Sequence, residues 1–330
     1  MRLTGSGLGC SDWPACTATS VVAPLQFHAW VEFGNRLVNV VITIGIVLVA
    51  LASLRRRPRR YDLAWLSWGL VAGVFAEIVL GGLTVLNKLA PQFVMAHFLL
   101  AMVLVVDAAV LYQRCRRPDA PLPGPAGSDR EGVVAAREPD EEGPEPPRTA
   151  VGGPGGWAET GPGRLAAPAP GRRLVRHGHI LAGRAMLVWT FVVVTLGTLV
   201  TSTGPHAGAP GVPRFRFSLH TVAQLHGTSV ELLLALTVAT MWSMHRARVP
   251  REVLRRAELL LVVMVAQAAV GYTQYLTGDP VALVAVHLTG ATVLVVAMVF
   301  FNMGLYAYDP VARDQTVQVG VTSARELAHT

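Results

Sequence analysis

Three histidines, His97, His226 and His287, stand inside long apolar runs of this sequence, each within about two turns of the same end of its run. An imidazole surrounded by hydrocarbon is costly without a partner, so each is a functional candidate. The plainer reading is a helix–helix hydrogen bond. Three at matched depth favour ligation instead. Zinc wants cysteine or carboxylate company in a compact cluster. Imidazoles on facing helices suit a haem, whose iron takes two axial ligands across an apolar slot. His226 and His287 would make that pair. The corresponding pair in the first part of the chain is Asn35 and His97. Asparagine ligates haem iron poorly, which leaves a reactive position open. The other histidines read as ordinary: His177, His179, His245 and His329 as solvated, His28, His206 and His220 as interfacial.

Glu32, Asn35, Arg36 and Asn39 fall at i, i+3, i+4 and i+7, one face of a helix. Glu32 supplies an acid/base group beside the open position, and Arg36 a cation for a haem propionate. Glu77, Asp107, Arg184 and Glu231 read as helix–helix pairing. Cys10 and Cys16 lie six apart in a Gly/Pro-containing loop, close enough for a small disulfide ring in an oxidising compartment; the alternative is two free thiols.

The elements that must position these residues are membrane helices. Hydrophobic residues make up 52% of the 330 and charged residues 15%, against about 25% in soluble domains. Of the 49 charged residues, 19 sit within 114–178. What remains is too apolar for a soluble enzyme. Seven runs can span hydrocarbon, near 37–54, 63–86, 93–113, 183–202, 219–244, 257–276 and 281–304. Helices are required, because open strands leave backbone groups unpaired in lipid. Arg55, Arg56, Arg57, Arg59, Arg60, Arg114, Arg116, Arg117, Arg172, Arg173, Arg176, Arg246, Arg248, Arg251, Arg255 and Arg256 all fall in one set of loops, which makes that set cytoplasmic and puts Cys10 and Cys16 outside. The net charge of +7 then reflects topogenic arginine rather than nucleic-acid binding.

An internal repeat runs through the spans. Gly81 and His97 recur as Gly271 and His287, at a constant offset of 190, and Asn35 faces His226 at 191. The second half has four spans. A matching helix before Leu3 is therefore expected and is missing from this chain. The sequence predicts an all-α polytopic membrane protein built as two parallel four-helix bundle repeats, seven spans present. Its parts would be an N-terminal bundle half (1–113), a disordered Pro/Gly-rich cytoplasmic loop (114–178), a C-terminal bundle half (179–306) and a cytoplasmic tail (307–330).

The stretches Arg2-Leu-Thr-Gly-Ser-Gly-Leu-Gly-Cys10-Ser-Asp-Trp-Pro-Ala-Cys16, Trp30-Val-Glu32-Phe-Gly-Asn35-Arg36, Ala96-His97, Gln224-Leu-His226-Gly-Thr and Val286-His287-Leu-Thr-Gly resemble the haem A synthase family. Asn35 stands where many members have histidine. The resemblance implies an oxidoreductase acting on CH or CH2 groups, which converts the C8 methyl of haem O to the formyl of haem A for cytochrome oxidase assembly. It implies a haem b cofactor on His226 and His287, substrate haem iron at His97 with Asn35 and Arg36 beside it, Glu32 as the catalytic carboxylate, and a redox role for Cys10 and Cys16. The partners it implies are haem O, the farnesyltransferase that makes it, the lipid bilayer and an electron acceptor such as a quinone, with no nucleic acid. A non-catalytic b-type cytochrome and a haem carrier remain the competing readings.

Overall fold

The computed structural model describes residues 4–117, 171–205, 208–209 and 211–307. Of the expected 114–178 loop, residues 118–170 lie outside the described residues, as do the tail from 308, Arg2, His206 and His329. Seven helices carry the fold: α1 (Phe27–Arg55), α2 (Tyr61–Leu86), α3 (Pro91–Cys115), α4 (His177–Thr203), α5 (Leu219–Arg246), α6 (Arg251–Leu276) and α7 (Val281–Met303). Strand β1 (Arg172–Arg173) pairs antiparallel with β2 (Tyr306–Ala307), a short tie that the helical periodicity did not signal. It forms where the chain leading into α4 runs beside the chain leaving α7.

Six of the helices, all but α6, are long and apolar enough to cross a membrane. The protein is an all-α, multi-pass membrane protein. Seven spans were expected. α6 has the length, 26 residues, but Arg251, Glu252, Arg255, Arg256 and Glu258 crowd its first turns. The apolar run of α1 begins at 37, yet the helix starts ten residues earlier. Its first turns bury Ala29 and pack Phe33 against the Cys10–Cys16 loop, which rewards helix there.

Helix starts follow local chemistry. Pro91 opens α3, and Pro280 precedes α7, where a fixed φ suits a helix entrance and no N–H is wasted. Ser218 caps α5, its hydroxyl accepting from the Thr221 N–H at 3.4 Å. Buried hydroxyls inside the spans donate back to their own helix: Thr190 to the Met186 carbonyl at 2.8 Å, Thr237 to Leu233 at 2.8 Å.

Helices α4, α5, α6 and α7 close a ring, each packing on the next and α7 on α4. Its interior holds Met186, Leu233, Met244, Leu260, Met298 and Phe301. Helices α1, α2 and α3 form a row that meets this ring through α3 against α4 and α7, where Met102, Val194 and Val295 are buried together. Arg60 is more than a topogenic charge. Its guanidinium is buried and donates to Asp62 at 3.1 and 2.8 Å and to the Arg117 carbonyl at 3.1 Å, fastening the start of α2 to the end of α3.

Candidate functional site

His226 of α5 and His287 of α7 face one another across the second-half ring, with ring centroids 6.4 Å apart. An iron bound by both would need roughly 6 Å, from a metal–nitrogen bond of about 2.0 Å and about 1.1 Å from nitrogen to ring centre on each side. His226 Nδ1 lies 3.1 Å from the Val193 carbonyl oxygen. A carbonyl only accepts, so Nδ1 carries the proton and Nε2 keeps its lone pair. Glycines make room for both rings. A Cβ on Gly197 would come within 3.1 Å of His226 Cε1, and one on Gly271 within 2.9 Å of His287 Cε1. Gln267 Nε2 donates to the His287 carbonyl at 2.6 Å and steadies that turn of α7. These residues fit an axial pair for haem. Among the described residues, no three His, Cys, Asp or Glu side chains gather as a metal cluster.

His97 of α3 has a different partner. Its Nδ1 lies against Glu77 Oε2 of α2, and a Cβ on Gly81 would sit 3.4 Å from its Cε1. A carboxylate against Nδ1 favours the ring proton there, which leaves Nε2 with its lone pair. His97 keeps 40% side-chain exposure, so its ring is open to an incoming group. Glu77, read from the sequence only as a helix–helix partner, is the residue that holds the His97 ring. Its signal was in the repeat: Glu77 stands at the same offset of 190 from Gln267 as His97 from His287. Asn35 lies on an exposed face of α1. No hydrogen bond joins it to His97 among the described residues.

Glu32 and Arg36 lie on α1 under the Cys10–Cys16 loop. The two cysteines are disulfide-bonded, with Cα atoms 4.4 Å apart, and both are fully buried. Glu32, read from the sequence as an acid/base group beside the open position, is only 1% exposed. Oε2 accepts from the Cys10 N–H at 2.8 Å and Oε1 from Arg36 Nη2 at 2.8 Å. Arg36 also donates to the carbonyls of Asp12, Pro14 and Ala15 at 3.0–3.1 Å. Three of its N–H donors are thus held by loop carbonyls and one by Glu32. The loop backbone comes so close to α1 that a Cβ on Gly9 would sit 2.0 Å from the His28 carbonyl oxygen. Trp13, at the loop's tip, packs on Gly82, the residue after the glycine that borders His97. The disulfide loop, Glu32 and the His97 pocket are therefore neighbours through α2. Cys115 is a free, exposed thiol.

Of three other polar residues, one differs from its sequence reading. His179, read as solvated, is 7% exposed and hydrogen-bonded to Ser243 Oγ at 3.1 Å, because the first turn of α4 packs on the end of α5. Glu231 accepts from the Tyr272 hydroxyl at 2.5 Å, a helix–helix pair as expected. Asp107 faces Gly69 of α2, whose added Cβ would come within 2.9 Å of the carboxylate.

Residues 1–136 match the profile of the COX15-CtaA family, described as cytochrome oxidase assembly protein. That stretch holds Cys10, Cys16, Glu32, Asn35, Arg36, Glu77 and His97; His226 and His287 lie beyond it. The chain is 34% identical over 125 residues to the haem A synthase of Geobacillus kaustophilus strain HTA426, covering 37% of this chain and 38% of that protein. It is 37% identical over 98 residues to the haem A synthase of Geobacillus thermodenitrificans, covering 29% and 30%. It is 31% identical over 107 residues to that of Lysinibacillus sphaericus strain C3-41, covering 32% and 34%. The chain thus spans between about 30% and 38% of the length of these relatives. The matched stretch, which holds the disulfide loop, Glu32 and His97, is thus similar to the COX15-CtaA family of cytochrome oxidase assembly proteins, and the curated relatives it resembles are haem A synthases.

Proposed function

We propose that the protein is a haem A synthase, which oxidises the C8 methyl of haem O to a formyl group. The observation that carries the reading is the facing pair His226 and His287 at 6.4 Å, set apart from a third, carboxylate-held His97. Two different histidine environments suit two haems with different jobs. His226 and His287 would hold a haem b, which supplies one-electron redox chemistry when bound. His97, with Nδ1 fixed by Glu77, would take the iron of substrate haem O. Asn35 and Arg36 of α1 would belong to the same substrate-haem site. Arg36 also ties the disulfide loop to α1, so it would link that loop to the substrate-haem site.

Glu32 is the carboxylate we assign to catalysis. A carboxylate fixed in place by an arginine and a backbone N–H can stabilise positive charge developing at the methyl carbon as electrons leave. Its ties to Cys10 make its position depend on the disulfide loop. In this reading 1–113 is the substrate half, 179–306 the cofactor half, and 114–178 and 307–330 are cytoplasmic. The Cys10–Cys16 loop faces the outer side of the cell membrane. Electrons pass to an acceptor such as a quinone, and haem O arrives from its farnesyltransferase.

The test is production of haem A in cells that make haem O but lack their own synthase, read by mass of the extracted haem. Expression of this gene should yield haem A. Glu32→Gln should leave the His226/His287 haem spectrum intact and stop haem A formation, with haem O or its hydroxylated product accumulating. Normal haem A in that variant would favour a haem carrier instead.

A further inference from the structure

At the opposite end of the ring from the paired histidines, the start of α4 and the end of α5 enclose a cavity of about 550 Å³. Arg176, His179, Thr240, Ser243 and Arg246 line it, and Ala182 forms part of its apolar wall. No acidic residue lines it. Arg176 is the residue at which α4 begins, so the first-turn N–H groups and the positive helix end add to its charge. His179 is 93% buried by its 7% exposure, and its Nδ1 is buried with no hydrogen-bond partner while Nε2 is taken by Ser243. With the Ser243 hydroxyl donating to Nε2, Nδ1 carries the ring proton and is a donor without an acceptor beside two arginines. Backbone pairing keeps the site in shape. The Leu174 N–H donates to the Leu305 carbonyl at 3.0 Å, just before Arg176. Arg246 stacks over Trp242, 4.5 Å from its ring centre, and Trp242 is exposed on the face where lipid would lie.

We propose that this cavity binds the phosphate of an anionic phospholipid. Two arginines and an imidazole match phosphate oxygens. The alanine wall and exposed Trp242 suit the glycerol and first acyl carbons of a molecule anchored in the bilayer. A zwitterionic lipid carries its own cation next to the phosphate and gains less from this charge. The site is independent of the haem reading.

Native mass spectrometry of the full chain, released from bilayers of equal phosphatidylglycerol and phosphatidylcholine, tests this. One phosphatidylglycerol should be retained in preference to phosphatidylcholine. Retention should fall about fivefold for each arginine removed, so roughly 25-fold in Arg176→Gln/Arg246→Gln. Arg251→Gln/Arg255→Gln removes the same charge at the same end but outside the cavity, and should retain lipid as the parent does. Ser243→Ala, a milder change at the exposed rim, should weaken retention about fivefold and covers the case in which the double variant fails to fold. Equal retention of the two lipids, or equal loss in both double variants, would overturn the proposal. Displacement of the lipid by millimolar inorganic phosphate would also overturn it, and would make the cavity a site for the free anion.

Discussion

At His97 a single carboxylate decides which nitrogen is free. Glu77 takes the Nδ1 side, so Nε2 is the atom that can bind iron. Outer partners of ligating histidines are typically worth 10–100-fold in metal affinity. Glu77→Ala should therefore weaken haem binding at His97 by about that factor while leaving the spectrum of haem at His226 and His287 unchanged. Titration of the purified protein with haem, followed by absorbance, checks it; equal weakening at both sites would mean that Glu77 acts on folding. His226→Ala should do the reverse. It should convert the low-spin signal of the paired site to high spin or remove it, and leave binding at His97. An unchanged low-spin spectrum in that variant would end the axial-pair assignment.

At the scale of elements, the helices hold their ligands by leaving space. Gly271 and Gly81 occupy matching places on α6 and α2, yet their tolerances differ. A Cβ on Gly271 would meet His287 at 2.9 Å, inside the limit of ordinary contact, whereas one on Gly81 would meet His97 at 3.4 Å. Alanine favours a helix by about 1 kcal/mol over glycine, so neither change should cost helix stability by propensity alone. Gly271→Ala should shift His287 and perturb the low-spin haem spectrum; Gly81→Ala should leave binding at His97 near normal. Spectra of the two variants at matched haem content test the difference. The element boundaries were readable because apolar runs, prolines and Ser218 mark them. The start of α1 was not, because its first turns are paid by the disulfide loop rather than by their own hydrophobicity.

At the scale of the molecule, a row of three helices leans on a closed ring of four, and the arginine-bearing ends of both lie together. If those ends are cytoplasmic, the Cys10–Cys16 loop is outside and Cys115 inside. Intact cells treated with a membrane-impermeant maleimide should label no cysteine before reduction. After reduction Cys10 and Cys16 should react, and Cys115 only once the membrane is opened. Labelling of Cys115 in intact cells would invert the orientation.

The sequence by itself determined that the chain is a bundle of membrane helices, where those helices run, and which histidines lie in them. Hydropathy and the 190-residue offset are local or periodic signals that survive without coordinates. Its repeat also aligned Glu77 with Gln267, though not what either one touches. Only the tertiary structure decided the partners. It gave Glu32 to Arg36 and the Cys10 backbone, Arg36 to three loop carbonyls, and His179 to Ser243. The Glu32–Arg36 pair is an i,i+4 contact that helical spacing already allows; the others join residues that a helical pattern cannot relate, through a loop folded back on α1 or two helices brought side by side. The charge of Arg36 and the polarity of His179 suggested solvent or ligand. Burial against a particular neighbour depends on how helices pack, and a one-dimensional pattern fixes which face is apolar, not what lies opposite it.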